Sequence, residues 1–204
     1  MPGDFTRILF IVLGYASGSI PYAVIVSRLR GMDIRAVGSK NPGAHNVMVH
    51  VGLWWGRLVA ILDLLKGTLP ALAARLVGLS DWDVVWAGVA AMLGHVTSPF
   101  LGFKGGKGLS TAFGLMLVLA PVEMIIGSAI GLGVLRVTRF VPVAAAVAAI
   151  LTFVLMIVRN AEPPALAAPW ITMAIALVMT LIDLWNQKRH RIYSPQSHED
   201  TKLS

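Results

Sequence analysis

Seven apolar stretches, at about 6–28, 53–79, 84–101, 109–120, 121–136, 140–158 and 165–186, take up most of this 204-residue chain. A helix needs about 20 apolar residues to cross the roughly 30 Å hydrocarbon core of a bilayer. Five of the stretches reach that length or come near it. A soluble domain carries roughly a quarter charged residues; this chain carries 13%, with 56% hydrophobic and a mean hydropathy of +0.75. Its own core cannot hide so much apolar surface. The fold class is therefore an all-α polytopic integral membrane protein, and the length suits one domain over 1–204. The first apolar run, Ile8 to Ser27, lacks an early basic region and a clean small-residue cleavage site, so it reads as a retained span rather than a signal peptide. Without cysteine there is no disulfide and no thiol chemistry.

Pro121 makes the run 109–136 ambiguous, either one long helix or two short ones, because proline breaks or kinks a helix. Charge decides between them. With two spans and the N-terminus outside, Arg28, Arg30, Arg35, Lys40, Arg57, Lys104, Lys107, Arg136, Arg139, Lys188, Arg189, Arg191 and Lys202 all face the cytoplasm. That is 13 of the 17 basic residues; Arg7, Arg75 and Arg159 fall outside and Lys66 sits mid-membrane. With one span, the C-terminal basic cluster moves outside. The positive-inside tendency favours about seven spans, with the C-terminus cytoplasmic and residues 190–204 as a flexible tail. The shortness of 109–120 and 121–136 is the weak point of that topology. The net charge of +7 is then a feature of topology and anionic ligands, not of nucleic acid.

The seven-span arrangement puts three polar motifs on one face. Gly102-Phe103-Lys104-Gly105-Gly106-Lys107-Gly108 joins glycines, which admit positive φ and close approach, to two lysines. Successive N–H groups in such a loop can line an anion site, with the lysines adding full charges. A flexible basic loop is the plain alternative, and the P-loop pattern is absent. Gly38-Ser39-Lys40-Asn41-Pro42-Gly43-Ala44-His45-Asn46 follows the first span. It offers a second anion cradle or a turn-rich linker, and its length and apolar Ala44 and Val47 favour a loop lying against or dipping into the bundle. The third is Lys188-Arg189-His190-Arg191, which anchoring to anionic lipid explains fully. Within the spans, Asp63 and Lys66 share a helix face at i, i+3. Intramembrane charges point into the bundle, either as a structural pair or as a functional one. His95 precedes the glycine–lysine loop and serves as a packing residue, or as a base if it reaches a substrate hydroxyl. The five histidines show no metal-site spacing, and no cofactor is expected.

Together these motifs resemble the membrane acyl-phosphate:glycerol-3-phosphate acyltransferases of bacteria, the PlsY family. Gly18-Ser19-Ile20-Pro21, residues 38–46, Asp63 to Gly67, and Gly94-His95 through Gly108 are similar to that family's motifs, although Pro99 stands one place later. The resemblance implies seven membrane helices with the N-terminus outside. It also implies transfer of a fatty acyl group from acyl phosphate to the 1-hydroxyl of glycerol 3-phosphate, giving lysophosphatidic acid and phosphate. By resemblance, Ser39, Lys104, His95 and His190 are the catalytic group. Gly38, Asn41, Gly43, Asn46, Gly105, Gly106, Lys107 and Gly108 bind phosphate, and Asp63 with Lys66 forms a charge pair. Departures stand at His45 for threonine, Val49 for a phosphate-binding arginine (His50 is adjacent), and Tyr193 for asparagine. They motivate the runner-up expectation, a diverged member that binds or moves a phospholipid or phosphate ligand or acylates another acceptor.

Overall fold

A computed structural model describes residues 3–139 and 141–192. Among the described residues every regular element is helical: α1 (Asp4–Ser19), α2 (Tyr22–Leu29), α3 (Ala44–His50), α4 (Leu53–Leu76), α5 (Asp81–Val96), α6 (Leu109–Leu119), α7 (Pro121–Thr138), α8 (Val141–Val158) and α9 (Pro163–Ile192), with one 3₁₀ turn at Pro99–Leu101. Each apolar stretch of the sequence forms helix. Among the described residues, four helical stretches are long and apolar enough to cross a membrane: Asp4–Leu29, Asp81–Leu101, Pro121–Thr138 and Pro163–Ile182; Leu109–Leu119 and Ala146–Val158 are apolar but shorter. Helix α4 has 24 residues, about 36 Å at 1.5 Å each, and carries the buried Asp63 and Lys66.

Proline sets two of the breaks. Residues before proline are pushed out of the α region: Ile20 is extended (φ −62°, ψ 119°) ahead of Pro21 and ends α1. Ala120 (φ −143°, ψ 63°) stands ahead of Pro121, which opens α7, so the run 109–136 is two helices. Pro70 and Pro169, by contrast, lie within continuous helices. A capping box starts α5: Ser80 Oγ accepts from Asp83 N–H at 3.3 Å, and Asp83 Oδ2 accepts from Ser80 N–H at 3.2 Å.

Lipid offers no hydrophobic drive between helices, so small residues that let backbones touch hold membrane bundles together. A Cβ at Gly14 or Gly18 of α1 would strike the Ala87 or Ala91 carbonyl of α5. One at Gly67 of α4 would strike the Thr111 carbonyl of α6, and one at Gly114 of α6 would strike the Leu64 carbonyl. The central core of Ala71, Val84, Val85, Leu115 and Met116 is joined at one end by Met124, Met156, Ala165 and Ala168. A second cluster of Ala23, Val24, Val26, Ile34, Val47 and Val59 fastens α2 and α3 to α4. Many large apolar side chains stay outside, such as Ile61, Ile125 and Leu132, as a lipid-facing surface requires. One group of ion pairs lies at the end remote from the glycine loops: Arg75–Asp81 at 2.9 Å, Arg159–Glu123 at 3.1 Å and Arg7–Asp83 at 3.4 Å.

Candidate active site

The proline break after α1 starts the construction of the site. It leaves the Ser19 carbonyl without a helical donor, and Ser98 Oγ supplies one at 2.6 Å. Tyr15 adds a second tie by donating its hydroxyl to Thr97 O at 3.0 Å. The end of α5 is thereby fixed where the glycine–lysine loop departs.

That loop differs from the continuous cradle of N–H groups its glycines predict. Phe103 N–H goes to Ser98 O (2.9 Å), Lys104 N–H to Leu101 O (3.4 Å), Gly105 N–H to Val96 O (3.0 Å) and Gly106 N–H to His95 O (3.2 Å). The last carbonyls of a helix lack intrahelical donors; Gly105 and Gly106 satisfy two of those of α5, while Phe103 and Lys104 bond the turn that follows it. Gly102, Phe103 and Gly108 take positive φ (61°, 62° and 77°) to make the reversal. A Cβ at Gly105 would strike the His95 carbonyl, so glycine is required there for close approach. Among the described residues, the N–H groups of Lys107, Gly108, Leu109 and Ser110 make no backbone hydrogen bond. The N–H groups this motif leaves without backbone partners therefore stand at Lys107 and the first turn of α6, where helix N–H groups and dipole can favour negative charge.

Asn46 organises the other loop. Its side-chain amide donates to the carbonyls of Ile34 (3.0 Å), Val37 (3.1 Å) and Asn41 (3.2 Å), and its Oδ1 accepts from Ser39 N–H at 3.4 Å. At 3% exposure it is the pin on which the loop turns, and it also lines the cavity described below. Ser39 Oγ accepts from Asn41 N–H (3.4 Å) and keeps its own proton to donate. Gly38 takes φ 55° beneath the His50 ring, whose Nδ1 lies 3.2 Å from Asn46 O. Just upstream, Arg35 bonds the Asp33 carboxylate at 3.0 and 2.6 Å, which holds that carboxyl well below the usual carboxylate range. The loop is thus built, not a slack linker, and it carries helix α3.

Beneath both loops lies a buried charge cluster. Lys66 Nζ stands 2.9 Å from Asp63 Oδ1 and 3.3 Å from His95 Nδ1, and His95 Nδ1 stands 3.7 Å from the same carboxylate oxygen. The lysine also sits 4.9 Å from the centroid of the Tyr22 ring, a cation–π contact. All three charged or polar side chains are buried. The sequence left Asp63 and Lys66 open between a structural pair and a functional one; the structure adds His95 to the pair.

A cavity of about 350 Å³ brings the parts together. Ser39, Asn41, Gly43, His45 and Asn46 form one wall, Lys107 to Ser110 a second, and Asp63 with His95 the floor; Thr180 of α9 also contributes. Lys104 stands outside this lining and is exposed. His190 falls in α9, but its side chain, like Tyr193, lies outside the described residues. Sequence reasoning missed Ser110, Thr180 and Tyr22. Ser110 was within reach, as the first turn of a helix opened by Gly108; a lone threonine or tyrosine in an apolar helix carries no such signal. A groove of about 330 Å³ lined by Ala60, Ile61, Leu64 and Phe113 adjoins the cavity and shares Leu109 and Ser110 with it.

Comparison with known proteins decides what this cavity belongs to. The family model for glycerol-3-phosphate acyltransferase matches residues 8–193. The chain belongs to the glycerol-3-phosphate acyltransferase family. It is 38% identical over 180 residues to a glycerol-3-phosphate acyltransferase of Thermus thermophilus, covering 88% of this chain and 87% of the relative. To that of Roseiflexus sp. it is 39% identical over the full length of both. Among solved structures it is similar to PlsY, an integral membrane glycerol 3-phosphate acyltransferase, in its glycerol 3-phosphate form (TM-score 0.75, 31% identity, 92% of each chain) and its lysophosphatidic acid form (TM-score 0.74, 30% identity). The all-α membrane fold read from the sequence is thus the family's fold, and the chain is an acyltransferase of that family.

Proposed function

We propose that this chain transfers a fatty acyl group from acyl phosphate to the 1-hydroxyl of glycerol 3-phosphate, giving lysophosphatidic acid and phosphate. The observation that carries the reading is the shared cavity: Ser39 and Lys107, from loops about seventy residues apart in sequence, line one space. Two phosphorylated substrates need two sets of donors side by side, and the two loops are such sets. The solved relatives support the acceptor and the product, since the PlsY structures are of glycerol 3-phosphate and lysophosphatidic acid forms.

In this reading Lys107 and the α6 N-terminus neutralise one phosphate, while Ser39 and Asn41 donate to the other. Acyl phosphate is already activated, so the hydroxyl oxygen attacks the carbonyl carbon directly as the carbon–oxygen bond to phosphate breaks, and the hydroxyl proton leaves on the departing phosphate. Positioning supplies much of the acceleration, and cations and N–H donors stabilise the charge that develops. The acyl tail occupies the α4–α6 groove, whose apolar wall opens from the cavity toward lipid. Lys104 adds charge at the mouth, and by resemblance His190 joins the catalytic group.

The topology belongs to the same proposal. Helices α1–α2, α4, α5, α6, α7, α8 and α9 give seven crossings, with the N-terminus outside and the cavity on the cytoplasmic face of a bacterial inner membrane. The basic residues support it by sign, since the remote end holds Arg7, Arg75 and Arg159 against Asp4, Asp81, Asp83, Glu123 and Glu162. Helix α6, with 11 residues, spans about 16 Å, so the bilayer thins beside it or residues 102–108 dip to meet it.

Purified protein given both substrates is the test. Phosphate release that requires glycerol 3-phosphate, with lysophosphatidic acid as the product, confirms the reading; release equal to that of a Lys107→Ala variant refutes it. One observation keeps a second reading in view: Val49, where the family has a phosphate-binding arginine, is an exposed apolar side chain on α3, while His45 faces the cavity. Glycerol 3-phosphate that binds but is never acylated identifies a diverged member with another acceptor.

A further inference from the structure

The two ends of a bound acyl phosphate fix where its reactive carbon stands. With its phosphate in the cavity of about 350 Å³ and its tail in the groove of Ala60, Ile61, Leu64 and Phe113, the carbonyl carbon lies where the two spaces join. Leu109 and Ser110 line both spaces and so mark that junction. Lys107 stands just before them in the chain and lines the cavity side. Its backbone is held on both flanks. Gly106 N–H bonds His95 O at 3.2 Å, and Gly108 takes φ 77° where a Cβ would meet Met92 and Val96. The Lys107 side chain itself is exposed, an amine on a flexible four-carbon stem.

Among the described side chains, the other lysines are kept from that carbon. Lys66 is 3% exposed, lies 2.9 Å from Asp63 Oδ1 and does not line this cavity. Lys40 and Lys104 are exposed but stand outside the lining. A primary amine therefore shares the cavity with an activated acyl donor at one place. Only the free amine attacks a carbonyl, and near neutral pH that is a minor fraction of a lysine. Proximity offsets the small fraction, since well-oriented partners react at effective molarities of about 10⁵–10⁸ M. A phosphate beside Lys107 keeps the amine mostly protonated, so the reaction is slow beside transfer to glycerol 3-phosphate.

We propose that Lys107 is a site of self-acylation: when glycerol 3-phosphate is scarce, bound acyl phosphate acylates its amine. This rests on the acyltransferase reading for the identity of the donor. The free amine Nζ attacks the carbonyl carbon and a carbon–nitrogen bond forms. The carbon–oxygen bond to phosphate breaks, and its electron pair goes to the phosphate. Nζ gives up one proton, which leaves on that phosphate. The products are an amide and inorganic phosphate, and nothing is oxidised or reduced. An amide is not an activated donor, so the acyl group stays. The modified residue has lost its charge, and its new chain fills the groove against the next donor. Excess donor without acceptor thus switches the enzyme off at its own phosphate-binding lysine.

The test incubates full-length protein in phosphatidylcholine vesicles with palmitoyl phosphate alone. After digestion, mass spectrometry reads the added palmitoyl group at each lysine. Folded protein is expected to carry it on Lys107 at about ten times or more the level at Lys40 or Lys104, as proximity requires, with Lys66 unmodified. Protein unfolded beforehand should lose that preference. The initial rate measured on adding glycerol 3-phosphate should fall in step with the Lys107 adduct. Lys107→Arg keeps a cation without a nucleophilic amine; it starts at a lower rate, but the incubation should not reduce that rate further. An adduct spread evenly over the exposed lysines, or one on Ser39 or Ser110 instead, overturns the proposal. Lysophosphatidic acid made by fresh protein that never gains a Lys107 adduct refutes this proposal alone. A selective Lys107 adduct on protein that makes no lysophosphatidic acid refutes the proposed reaction alone.

Discussion

Two residues show how unlike roles hide under similar motif membership. Asn46 and Lys107 both belong to glycine-rich loops and both line the cavity, yet Asn46 is buried and bonded to its own loop while Lys107 is exposed. Replacing Asn46 with alanine leaves the carbonyls of Ile34, Val37 and Asn41 without that donor. An unsatisfied buried group costs about 1–3 kcal/mol, so thermal unfolding should shift down and the KM for glycerol 3-phosphate should rise. Lys107→Ala should instead leave unfolding almost unmoved and lower kcat/KM by about ten- to a hundredfold, the worth of a charge-assisted hydrogen bond at about 1.5–3 kcal/mol. Lys104→Ala, outside the cavity lining, should lose less. Equal losses at the two lysines would mean that the loop repositions when substrate arrives. The sequence set both lysines in one motif and the resemblance named Lys104 as catalytic and Lys107 as phosphate-binding, but spacing does not say which N–H groups the end of α5 will claim.

At the level of elements, the helices were legible and their contacts were not. Apolar length and the two proline breaks gave nearly every helix, since both act locally. Which glycines sit at helix crossings depends on partners far away in sequence. Gly67→Ala should destabilise by about 1–3 kcal/mol or more, since the new methyl meets the Thr111 carbonyl of α6, and helix backbones do not yield as side-chain ends do. Gly133→Ala in α7 is the control: nothing lies within 4 Å of its added Cβ, and alanine there should stabilise by about 0.5–1 kcal/mol. Detergent-solubilised thermal unfolding separates the two. The same logic explains why Thr180 went unread: α9 brings it to the cavity by packing alone.

For the whole molecule, the account holds that two loops from separate crossings meet on one face. Charge placement in the sequence carried that idea, and the shared cavity gives it geometry. The chain has no cysteine, so single-cysteine variants report position cleanly. A cysteine at Ser80 should react with an impermeant maleimide only from outside the cell, and one at Lys40 only from the cytoplasmic side. The most direct measurement uses cysteines placed singly at His45 and Ser110, one on each wall of the cavity, in inside-out vesicles. Both should react from the cytoplasmic side, and glycerol 3-phosphate should slow both reactions with similar half-saturating concentrations. Protection of one position alone, or reaction of the two from opposite sides of the membrane, would contradict the account.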